Sequence, residues 1–160
     1  MNTYIHISME NSEQQIAVTE KMFDYPNTYN FYWTSKRLVA INVRRQEVVG
    51  VGLVSGLIGE ALTKFNESRK KEKTKNLTLD EILAKDKTCF AVPYEAIEQI
   101  KLCDPQSRWK SRKLEISSEQ FSKMSMTYNR WKKFVMSKEQ FEQLSTLLPS
   151  ITALKGKLVS

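Results

Sequence analysis

The sequence predicts an α+β domain: about seven short strands in a small curved sheet, one helix closing it at the C-terminal side, and a helical insert at about 48–86. Three observations predict it. Runs rich in aromatic and β-branched residues recur between turn clusters from about residue 14 to residue 136. A glycine-rich apolar segment without strand texture interrupts them at Val48. One strongly periodic amphipathic run starts after Ser137 and meets Pro149. A single terminal helix on a strand-rich chain is expected to cover the open end of the sheet and limit its exposed edges.

The chain of 160 residues fits one domain. It is long enough to bury roughly two thirds of its unfolded surface without a metal or disulfide staple. A hydrophobic share of 41% with 27% charged residues argues for an ordinary folded core. The formal charge is +7, and it is unevenly placed: the first thirty residues sum to −3. The remainder suits anionic surfaces, without choosing among lipid, nucleic acid and acidic protein.

Residues 1–13 read as a polar leader, 14–153 as the folded domain with its insert, and 154–160 as a tail. The leader has no basic n-region and no long apolar run, so a cytoplasmic location is the expectation. Ile16, Val18 and Met22 alternate and predict a first strand at about 14–23. Asp24-Tyr25-Pro26-Asn27 is a turn cluster. Two strands follow, at about 29–34 and 37–45, joined tightly through Ser35 and Lys36. In the second, Val39, Ile41 and Val43 share one face, with Leu38, Ala40 and Asn42 on the other.

Val48 to Leu62 carries one charge, Glu60, and four of the five glycines. Gly52 with Gly56, and Ser55 with Gly59, give small-xxx-small spacings that let helices approach closely. As a helix the segment would rise about 22 Å, short of the ~30 Å hydrocarbon core, so a transmembrane span is not expected. The flank at 64–75 carries six bases and two acids, among them Arg69, Lys70 and Lys71. Thr78 and Glu81 fit a capping box for a short helix at about 78–86.

Strands resume at 88–92. A break at Val92-Pro93-Tyr94 precedes a strand at 96–103, whose imperfect alternation allows a bulge. Asp104 to Ser107 is a turn, and Arg112 to Ser117 a strand with Leu114 and Ile116 inward. Met124, Met126 and Tyr128 alternate with polar residues in strand fashion, and Trp131 to Met136 gives a further strand. Ser137 and Gln140 form a second capping box, opening a helix at about 138–148.

Three segments resemble bacterial PH-like and GRAM-like domains. FYWTSKRLVAINV is similar to the segment that opens the second strand group of that family. FAVPYEAIEQIKL is similar to its central strand pair. KLEIS, the strand after it and KEQFEQLSTLL resemble its last strands and C-terminal helix. A glycine-rich insert between the strand groups also occurs in uncharacterised relatives of this type. The resemblance covers about residues 14–150 and implies a PH-like barrel with a non-enzymatic binding role. The phosphoinositide-binding PH pattern clusters bases in the first hairpin. Here that loop is DYPNTYN, with only Lys21 before it.

No catalytic constellation can be assembled. His6 is the sole histidine and sits in the leader. Cys89 and Cys103 are spaced for free, buried thiols rather than a zinc site. The glycines fit neither a P-loop nor a dinucleotide fingerprint. No enzyme activity, metal or cofactor is therefore expected. Two basic clusters remain. Arg108, Lys110, Arg112 and Lys113 surround Trp109, while Arg130, Lys132 and Lys133 surround Trp131. If the strands pair as a meander, the two clusters are expected to face one rim and to meet an anion or lipid headgroups. Arg37 is expected to serve structure, in a turn or ion pair.

Two function classes follow. The first is a module binding a protein partner or a second copy of itself, with Gly52, Ser55, Gly56 and Gly59 at the contact. The second is a peripheral membrane module, seating the apolar segment and its basic flank on anionic lipid at the inner face of the membrane. Nucleic acid ranks third, since no recognition helix or RNP-like motif accompanies the charge.

Overall fold

A computed structural model describes residues 13–43, 79–125 and 128–159. The leader with His6, the glycine-rich segment with Gly52, Ser55, Gly56 and Gly59, and the flank with Arg69, Lys70 and Lys71 lie outside the described residues, as do Thr78 and Met126. The elements are β1 (Gln15–Asp24), β2 (Asn27–Thr34), β3 (Arg37–Asn42), α1 (Leu79–Lys85), β4 (Phe90–Pro93), β5 (Gln99–Cys103), β6 (Arg112–Ser117), α2 (Glu119–Ser125), β7 (Trp131–Met136), α3 (Lys138–Ser150) and β8 (Leu158–Val159).

The fold is α+β, with one mixed sheet in the order β4-β3-β2-β1-β7-β6-β5-β8. There are eight strands rather than seven, and β4 and β8 are the two edges. Two antiparallel meanders, β1–β4 and β5–β7, meet where Phe23 of β1 pairs with Val135 of β7. That is the only register pair between these strands. Along the rest of β1 its neighbour is α3, whose side chains stand in for a strand. Gln143 Nε2 donates to the Val18 carbonyl at 2.9 Å, and Gln140 Nε2 donates to the carbonyls of Glu20 and Lys21. These bonds satisfy carbonyls that would otherwise lie along an unpaired strand.

The main core fills one side of the sheet. Phe31, Trp33, Leu38, Ile100, Leu114, Ile116 and Phe134 are fully buried there, and Leu144 and Leu148 of α3 close it. Trp33 Nε1 finds its partner in the buried Thr19 hydroxyl at 3.1 Å. A second cluster covers the opposite face of β2 and β3. Tyr32, Val39 and Ile41 pack there with Ile82 of α1. Both faces of β3 are buried, in line with its unbroken apolar sequence.

Several expectations are corrected. The core side of β1 is Ala17, Thr19 and Met22, not the Ile16–Val18–Met22 face. Ile16 is 47% exposed, and Val18 joins the second cluster. The reason is a bulge between Thr19 and Met22, which moves every later side chain to the other face. Lys21 occupies it with φ of 56°, its N–H held by Asn30 Oδ1.

Met124, expected to open a strand with Met126 and Tyr128, lies instead in helix α2, and no strand covers Tyr128. The Ser118 hydroxyl accepts from the Gln120 N–H and starts the helix, and Phe121 is buried beneath it. Gln120 Nε2 donates to the Ala91 carbonyl on the edge of β4. The break after Pro93 is a 3-10 turn, Tyr94–Ala96; the strand after it starts at Gln99 rather than 96 and pairs with β6 without the bulge that its alternation allowed.

Helix α3 opens with the expected capping box at Ser137 and Gln140. It continues to Ser150, with Pro149 in its last turn. Beyond it, Leu154 is buried and Leu158 pairs with Ile100, so the described tail belongs to the fold. Neither cysteine is in a disulfide among the described residues; Cys89 is buried and its Sγ accepts from the Asn42 N–H, while Cys103 is only half-buried.

Candidate binding surface

Strands β6 and β7 do pair as a meander, with Arg112 opposite Met136 and Ser117 opposite Trp131. That register sets the outer ends of the two basic clusters apart: Trp109 sits at the β5–β6 connection, before Arg112, and Arg130 lies beyond Ser117. The length of β6, roughly 17 Å at ~3.4 Å per residue, lies between those ends. Their inner members come close, with Lys113 and Lys133 two register positions apart on adjacent strands. The two indole-centred tips therefore do not face one rim.

The clusters also differ in what their charges meet. At the start of β7 every base has an acid. Arg130 Nη1 lies 3.2 Å from Glu98, Lys132 Nζ 3.2 Å from Asp24, and Lys133 Nζ 3.4 Å from Glu115. Alternation sends Lys132 to the main-core face with Phe134. Its ammonium lies 5.4 Å from the Phe90 ring centre and 5.8 Å from that of Phe121. Such a cation, half-buried over two aromatic faces, holds the fold together. Trp131 is likewise engaged, with Lys101 Nζ 4.9 Å from its ring centre.

The β5–β6 connection is the opposite case. Ser107, Arg108, Trp109 and Lys110 are all exposed, and Trp109 is 94% exposed. A turn presents them: the Lys110 N–H donates to the Ser107 carbonyl at 3.2 Å, and the Trp109 N–H to its hydroxyl. Asp104 is the one acid between 104 and 113, against four bases. It lies 2.9 Å from Arg112 Nε, a contact of charge rather than a directed hydrogen bond. Arg108, Lys110 and Lys113 form no ion pair among the described residues. An indole in water between two uncompensated cations is a feature that folding does not use.

Arg37 takes the structural role expected of it. Its Nε lies 2.8 Å from Glu13 and its Nη2 3.1 Å from Asp80. Burial alone would lower the guanidinium pKa, but the two carboxylate hydrogen bonds outweigh it and hold the charge more firmly. The interaction ties the chain before β1 and helix α1 to the start of β3.

Among the described residues, no group of three or more His, Cys, Asp or Glu is arranged to hold a metal ion. No helix of the described residues is long and apolar enough to cross a membrane. Comparison with protein-family models, curated proteins and solved structures finds no match for this chain.

Proposed function

We propose that the chain is a non-catalytic binding module of PH-like architecture that engages a negatively charged partner surface through its β5–β6 tip. The observation that carries this reading is the contrast between the two clusters. One is neutralised by Glu98, Asp24 and Glu115, and the other projects Trp109 with Arg108 and Lys110, which form no ion pair among the described residues. The PH-like part is supported by a sheet of two antiparallel meanders with a C-terminal helix packed against β1 and β6.

A comparison at constant charge tests it. Arg108→Glu with Lys110→Glu, and Arg130→Glu with Lys133→Glu, change the net charge equally. On a heparin matrix the tip variant is expected to elute at clearly lower salt than the other. Equal elution of the two variants would remove the tip as the contact element.

The glycine spacing favours a second reading, self-association through Gly52, Ser55, Gly56 and Gly59. It predicts a discrete oligomer by light scattering that Gly56→Leu reduces to monomer. A monomeric wild-type chain would end that reading.

A further inference from the structure

The kind of surface that the tip fits can be narrowed, on the reading that this tip is the contact element. A specific protein interface takes about 800 Å² from each partner. A fully exposed indole supplies about 150–250 Å². The two flanking bases add charge but little apolar area. The indole's sequence neighbours, Ser107, Arg108, Lys110 and Ser111, are all polar and exposed, so they add no apolar area to Trp109. A lipid interface asks for neither a large area nor a complementary pocket. It receives an indole at headgroup depth and pairs its phosphates with bases at the same level.

We propose that the β5–β6 tip seats the protein on an anionic bilayer, with Trp109 entering the headgroup boundary and Arg108 and Lys110 meeting lipid phosphates. Lys113 follows on β6, half-buried and in no ion pair among the described residues, and extends the positive side of the contact. The β7 cluster takes no part, because its bases already hold Glu98, Asp24 and Glu115.

The test is co-sedimentation of the full chain with phosphatidylcholine vesicles, with and without phosphatidylserine. Wild type is expected to pellet with the anionic vesicles only, and to be released as salt shortens the screening length from ~10 Å at 0.1 M to ~3 Å at 1 M. Trp109→Ala should weaken partitioning about ten-fold, the loss of one buried aromatic side chain. Each base near an anionic surface strengthens binding about five-fold, so Arg108→Glu with Lys110→Glu should weaken it about 25-fold or more. The Trp109 side chain is 94% exposed, so its removal leaves the fold intact.

Tryptophan emission should shift to the blue with anionic vesicles and not with soluble glycerophosphoserine, and Trp109→Phe should abolish the shift. The same shift with the soluble headgroup would overturn the bilayer as partner. So would equal pelleting with neutral vesicles, or tip variants that partition like wild type. If no vesicle is bound while the tip variant still elutes early from heparin, the lipid proposal falls and the charged-module reading stands. If the tip variants change neither measurement, both fall.

Discussion

Phe134→Ala should lower the melting temperature by about 10 °C, the largest effect expected of any single side chain here. Phe134 sits where the two meanders meet and is fully buried. Its ring centre lies 4.8 Å from Phe31 and 6.0 Å from Tyr29, both edge-on, and 6.3 Å from the stacked Phe90. Removing a buried phenyl costs about 3–5 kcal/mol, from lost transfer free energy and the cavity left behind. Domains of this size are stable by only about 5–15 kcal/mol, and each kcal/mol moves the melting temperature by about 2–4 °C.

Strands β2, β4 and β7 all meet at this ring, so the cavity cannot collapse by moving one element. Phe134→Leu keeps most of the volume and should cost less than about 1.5 kcal/mol. Tyr128→Ala removes an aromatic ring that is fully exposed and should leave the melting temperature unchanged. Thermal unfolding followed by circular dichroism separates the three. Equal melting of Phe134→Ala and Tyr128→Ala would show that the aromatic cluster is not the centre of the core.

Much of this centre was legible in the chain itself. Phe31 and Trp33, Leu38 and Ala40, and Leu114 and Ile116 fall on inward faces because strand alternation is a local rule. Helix α3 was equally plain, since Ser137 and Gln140 mark its start and Leu144 and Leu148 repeat at helical spacing. The failures are where one local rule was cut short by another. In β1 the second of two register shifts, at Lys21 between Thr19 and Met22, reverses the parity, and nothing in TEKM marks the position. At the end of α2, Met124 reads with Met126 and Tyr128 as strand alternation, and the weaker start signal at Ser118 decides the outcome for Met124.

The binding surface was legible only as a set of charges. Both basic clusters look alike in sequence. What separates them is the acids they meet, and those come from elsewhere: Glu98 is 32 residues from Arg130, and Asp24 is 108 residues from Lys132. Strand register alone brings these acids to β7 and leaves the β5–β6 tip without them. The free indole of Trp109 and the covered one of Trp131 are told apart in the same way, by Lys101 of β5, two strands away in the same meander.

The second large effect is expected in alkaline solution, where stability should hold to about pH 10 and fall steeply above it. Three tyrosines are responsible. Burial is the largest cause in each. It pushes the Tyr32 phenol up to about 12, with the charge of Glu20 adding to it and a hydrogen bond with Asn30 opposing it. Burial also raises Tyr29, helped by the charges of Asp24, Cys89 and Asp86, and it raises Tyr94. Tyr94 in addition donates its proton to the Thr34 carbonyl at 2.6 Å, a bond that the phenolate cannot make.

A phenol is neutral when protonated, so the folded chain keeps these protons at a pH where the unfolded chain, with tyrosine pKa near 10, releases them. The stability they contribute is complete below about pH 10 and is lost as pH rises through the folded values. Each such tyrosine removes about 1.4 kcal/mol per pH unit in that window, and the three together about 4 kcal/mol per unit. Tyr32 alone accounts for about 3 kcal/mol over its two-unit displacement. Urea midpoints measured from about pH 9 to about pH 11 should therefore drop sharply, and Tyr32→Phe, which cannot ionise, should reduce the slope by about a third. A midpoint that stays flat across that range would mean that these phenols reach water in the folded protein. The two faces of β2, which carry Tyr29 and Tyr32 on opposite sides, would then not both be closed.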